Sequence, residues 1–141
     1  MRCHFEPTRG WLNDPNGLCW FRGQYHAFFQ HYPHAPQWGP MHWGHLTTRD
    51  FLHWERLPAA LAPDREYDAA GCFSGSAAEL SDGRQLLMYT GVRRDRDEEG
   101  FIRDVQTQCI ALGDGVNYEK CDLNPVLSGP DLPPGGSTVD F

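Results

Sequence analysis

The sequence predicts an all-β protein. Short runs rich in β-branched and aromatic residues follow one another along the chain, and Gly, Pro, Asn and Asp punctuate them. No stretch of helical length carries a 3.6-residue apolar repeat. The runs group into two four-stranded meanders, residues 15–60 and 70–122, followed by a connector over 123–141. Paired four-strand units of ~50 residues are how propeller blades read in sequence. An ordinary two-sheet sandwich fits the same strand spacing.

Taken in order, strands are predicted at residues 18–21, 25–32, 42–48, 54–57, 72–79, 85–90, 105–112 and 117–120. Turn signals separate several of them: Arg22-Gly23, Ser81-Asp82-Gly83 and Asp114-Gly115. Asp14-Pro15-Asn16-Gly17 reads as a type I turn ahead of the first strand, because Pro presets φ at the second position and Gly accepts a positive φ. Residues 33–40 hold three prolines, which donate no ladder hydrogen bond, so this segment is expected to be irregular. The charged run at residues 93–100 is expected to be a solvated hairpin tip, and 128–137 an irregular connector.

Composition narrows the function. A formal charge of −7, with no Lys/Arg block, disfavours a nucleic-acid partner. Five cysteines form an odd, scattered set with no C-x-x-C, which speaks against a disulfide scaffold or cysteine zinc site and for the reduced thiols of a cytosol. No signal peptide, membrane span or cofactor motif is read from the chain, so a cytoplasmic protein without membrane partners or cofactors is expected. His31-x-x-His34 and His42-x-x-His45 have metal-like spacing, yet residues three apart on a strand face opposite sides, so no metal is expected. Cys72 and Cys109 read as buried small hydrophobes. The 13% aromatic content suits either a sheet interior or platforms for sugars.

The motifs decide between these uses. Trp11-Leu12-Asn13-Asp14-Pro15-Asn16-Gly17, Phe28-Phe29-Gln30-His31, Trp38-Gly39, Trp43-Gly44-His45, Phe73-Ser74-Gly75-Ser76-Ala77 and Gln106-Thr107-Gln108-Cys109-Ile110-Ala111 occur in that order across nearly the whole chain. Together they resemble glycoside hydrolase family 32, the invertase family, at its W-x-N-D-P-N-G, F-Y-Q, W-G, F-S-G-S-A and Q-x-Q segments. That resemblance implies the first two blades of a five-bladed β-propeller. It also implies a retaining glycosidase acting on terminal β-fructofuranosides such as sucrose or sucrose 6-phosphate.

In such an enzyme one carboxylate attacks the anomeric carbon and a separate acid serves the leaving group. The resemblance places the nucleophile at Asp14. It places fructose contacts at Asn13, Gln30, Trp38, Phe73 and Ser74, where amides and a hydroxyl suit a polyol and the two rings supply an apolar wall. Nearby backbone N–H groups and the Asn13 amide favour the ionised carboxylate by hydrogen bonding. The family's R-D-P and E-C motifs, which supply the transition-state Asp and the general acid, are expected beyond Phe141. Val139-Asp140-Phe141 is similar to the lead-in of the first, whereas Arg103-Asp104 runs into Val105 within a predicted strand. The 141 residues alone are therefore expected to be inactive. A sugar-binding remnant, a fructan hydrolase and a fructosyltransferase are the alternative readings.

Overall fold

A computed structural model describes residues 7–129. Among the described residues eight strands form two antiparallel sheets, each in plain chain order. The first holds β1 (Trp11–Phe21), β2 (Gln24–Tyr32), β3 (His42–Thr48) and β4 (Trp54–Leu61). A single 3₁₀ turn, Glu66–Asp68, leads into the second, formed by β5 (Gly71–Glu79), β6 (Gln85–Arg96), β7 (Ile102–Gly113) and β8 (Tyr118–Lys120). Neither sheet lends a strand to the other, unlike the Greek-key connections of most sandwiches, and each is a self-contained meander of the kind that makes a propeller blade. Among the described residues no helix is long and apolar enough to cross a membrane.

The core lies between the sheets. Phe28, Trp43, Ala60 and Leu61 of the first meet Cys72, Leu87, Tyr89, Cys109 and Ala111 of the second. Alternation selects these residues: Phe28 and Gln30 on β2 point toward the second sheet beside their β3 partners His45 and Trp43, while Phe29 and His31 take the other face.

Three expectations change. The segment at residues 14–17 is no free turn, because β1 already starts at Trp11 and pairs Pro15 and Asn16 with β2, while Asp14 falls in the irregularity just before them. The register slips between Leu12 and Pro15 and again between Asn16 and Cys19. Pro15 is tolerated because β1 is an edge strand and these irregularities relieve the missing donor. β4 likewise continues past residue 57 to Leu61, since Pro58 falls where the β3–β4 register shifts, on the opposite edge. The hairpin tip is also shorter than 93–100: β6 and β7 stay paired out to Arg96 and Ile102. Most of the connector, from residue 130 on, lies outside the described residues, as does Val139-Asp140-Phe141.

Candidate active site

The bulged start of β1 puts Asp14 on an exposed edge with Asn13 half-buried beside it. Trp11 fixes this segment twice. Its indole Nε1–H donates to Asn13 Oδ1 at 2.9 Å, and its carbonyl accepts from His31 Nδ1 at 2.9 Å. Asn13 thus spends one lone pair of its oxygen on the indole. None of the described residues donates a side-chain hydrogen bond to the Asp14 carboxylate. Asn16, two residues on, is buried at 4% exposure, and its side-chain amide has no protein partner among the described residues.

The second group stands where β5 begins. Trp38, from the irregular loop after β2, meets Phe73 edge to face, with centroids 5.9 Å apart at 84°. Trp38 keeps 47% of its surface open. Ser74 follows half-buried. Blade one holds this wall from behind by three bonds. Gln30 Nε2 donates to the Cys72 carbonyl at 3.1 Å, Trp43 Nε1 to the Phe73 carbonyl at 3.0 Å, and the Cys72 N–H to the Met41 carbonyl at 2.8 Å.

The edge strands β1 and β5 lie against each other, and a Cβ at Gly17 would sit 3.0 Å from that of Ala77. Asn13 and Asp14 therefore stand on one strand and Phe73 and Ser74 on its neighbour. Gln30 differs from the others: only 2% exposed, it ties the blades together from within. Trp43 and His31, both inside segments read as motifs, turn out to hold the wall and the Trp11 carbonyl. Their roles depend on partners 30 and 20 residues away, which only the folded chain brings within reach.

His42 and His45 go separate ways. His42 Nδ1 donates to the Pro40 carbonyl at 3.1 Å, while His45 is buried and bonded to His26. Among the described residues no group of three or more His, Cys, Asp or Glu is placed to hold a metal ion. The remaining chemistry is an open carboxylate, an amide, a hydroxyl and an aromatic corner, a set suited to a polyol with one apolar face.

Two meander blades whose adjoining edge strands carry these groups have the build of a propeller-fold glycoside hydrolase. The chain belongs to glycoside hydrolase family 32: the model of the "Glycosyl hydrolases family 32 N-terminal domain" matches residues 4–141. A sucrose-6-phosphate hydrolase of Zymomonas mobilis is 50% identical over 118 residues, 83% of this chain and 23% of that protein. A raffinose invertase of Escherichia coli is 52% identical over 127 residues, 86% of this chain and 26% of that protein. A solved family 32 β-fructofuranosidase of Bombyx mori superposes with a TM-score of 0.79 at 42% identity, covering 89% of this chain and 25% of that one. A mutant of that enzyme has been solved in complex with sucrose. The chain thus spans about a quarter of the length of the relatives it matches.

Proposed function

We propose that the protein to which these residues belong is a retaining glycosidase that cleaves terminal β-fructofuranosides, sucrose or sucrose 6-phosphate, with Asp14 as its nucleophile. The observation that carries this is the open Asp14 carboxylate on β1, set on the strand next to the Trp38–Phe73 corner. An Asp14 oxygen attacks the anomeric carbon of fructose as the bond to the leaving sugar's oxygen breaks. That oxygen takes a proton from a general acid, and water then releases fructose from the carboxylate ester. Asn13 and Ser74 bind the fructose hydroxyls and Trp38 and Phe73 form its apolar wall, while Gln30, read from the motif as a further contact, supports that wall from within. Relatives named sucrose-6-phosphate hydrolase at 50% and 52% identity support the phosphorylated substrate beside sucrose itself. The scattered free thiols of Cys19, Cys72, Cys109 and Cys121 support a cytosolic setting.

The acid is expected outside these 141 residues, so the chain by itself turns over negligibly. General acid assistance is commonly worth ~10²–10⁴ in rate. The test replaces the matched segment of the Escherichia coli sucrose-6-phosphate hydrolase with this chain and measures reducing sugar released from sucrose and sucrose 6-phosphate. The chimera is expected to be active, and Asp14→Asn to lower kcat by roughly a thousandfold or more. An Asp14→Asn chimera within tenfold of its parent would falsify the assignment, and full turnover by the 141 residues alone would overturn the placement of the acid outside them.

A further inference from the structure

Behind the pocket wall lies a charged cluster that the proposed chemistry does not use. Lys120, at the end of β8, has 7% of its side chain exposed, and Asp68, at the end of the 3₁₀ turn, has none. Lys120 Nζ donates to Asp68 Oδ2, to Asp64 Oδ1 at 2.6 Å and to the Ala62 carbonyl at 2.6 Å. Asp68 is further occupied by the Tyr89 hydroxyl at 2.8 Å, the Arg65 N–H at 2.9 Å and, weakly, the Cys72 thiol at 3.8 Å.

A buried charge pair is expensive to desolvate and gives little net stability over a well-packed apolar replacement. Its directional bonds do something an apolar cluster cannot: they set where the backbone behind them stands. The backbone here is the linker 62–70 and the first residues of β5, which Asp68 joins through Cys72. On the other side of Cys72, Gln30 holds its carbonyl and Met41 its N–H, and Trp43 holds the next carbonyl along. The start of β5 is therefore clamped between a polar network from blade one and a charged one from blade two.

We infer that the Asp68–Lys120 pair, with Tyr89, is the positioning device that fixes residues 72–74 as the wall of the sugar pocket. The pocket role of that wall rests on the function proposed above; the clamp itself does not. Burial alone would push the Lys120 ammonium down, but the Asp64 and Asp68 carboxylates bonded to it oppose that and hold its proton on. The clamp therefore persists through the neutral range.

The test is an NMR measurement on the full chain without any sugar, so it fails or succeeds separately from the fructoside reading. The probes are the Trp43 indole N–H, bonded to the Phe73 carbonyl, and the Gln30 amide, bonded to the Cys72 carbonyl. The Trp20 indole on the far half of β1 serves as control. Tyr89→Phe removes one donor to Asp68 with almost no volume change and is the variant that keeps the fold. Asp68→Asn with Lys120→Met removes the charges together and avoids leaving one buried alone. In both, exchange of the Trp43 indole proton should accelerate, by about tenfold or more in the double variant. The Gln30 amide signals should shift and Trp20 should not, while Lys120→Arg should keep the parent positions. Parent-like Trp43 and Gln30 signals in folded Tyr89→Phe would overturn the proposal, whatever becomes of the double variant. So would a uniform change that moves Trp20 equally.

Discussion

Gly17 closes the segment that carries Asp14, and its geometry allows no other residue comfortably. Its φ is +50°, and an added Cβ would lie 3.0 Å from both the Ala77 Cβ and the Phe28 ring. Backbone strain and crowding thus act at one atom. Gly17→Ala is expected to cost about 1–3 kcal/mol, read as a lower urea midpoint with an unchanged m-value. A variant as stable as the parent would mean that β1 and β5 can separate without loss. The same residue shows what the sequence conveyed well and badly. Its need for positive φ was legible, but it was assigned to a turn. The contact that makes it necessary comes from Ala77, 60 positions away, and no local pattern announces that. As candidate site residues, Asp14, Phe73 and Ser74 stand out only through their motifs. Asp68, Tyr89 and Lys120 carry no motif of their own and meet only in the folded chain.

At the level of elements, strand interiors were readable from alternation and strand ends were not. β3 matches its predicted span because both its ends adjoin turn-forming residues. β6 and β7 outrun theirs because the charged residues 93–99, 103 and 104 mask the alternation that would mark a strand. Pairing there is maintained by cross-strand partners, with Arg94 bonded to Asp104 directly opposite and Asp97 to Arg103. β5 depends on its own irregularity, a register shift between Phe73 and Gly75. A Cβ at Gly75 would fall 2.0 Å from the Met88 carbonyl oxygen and 2.8 Å from the Tyr89 Cα, both backbone atoms that cannot swing aside. Gly75→Ala should therefore break the β5–β6 ladder beside the pocket wall and cost about 2–4 kcal/mol. Circular dichroism during urea unfolding would register this, and a loss under 1 kcal/mol would show that the bulge can relax.

Across the whole molecule, the seam between the sheets contains a pair of buried histidines. His26 Nδ1 and His45 Nε2 are 2.9 Å apart, one donating and one accepting, and both rings are 1% exposed. Phe28 stacks on His45 at 4.3 Å and Phe21 meets His26 edge-on at 5.7 Å. From the second sheet, Tyr118 packs against His45 at 5.8 Å, and Gly115 approaches so closely that a Cβ there would sit 3.2 Å from the His26 ring. Desolvation lowers both imidazoles, and the neighbouring His26 adds to the effect at His45, which falls from 6.5 to about 3. A base whose folded value is depressed is neutral in the folded state while the unfolded chain takes up a proton. Stability is then fully present above about pH 6.5 and is lost progressively as the pH falls toward 3. At 1.36 kcal/mol per unit, His45 alone removes about 3 kcal/mol between pH 7 and pH 4. The two sheets should consequently separate in mild acid, with Trp43, buried in the seam, reporting the change by fluorescence. His45→Phe keeps the stacked ring on Phe28 and deletes the titration. Its urea midpoint should vary much less than the parent's between pH 7 and pH 4, and equal slopes in the two proteins would place the acid sensitivity elsewhere.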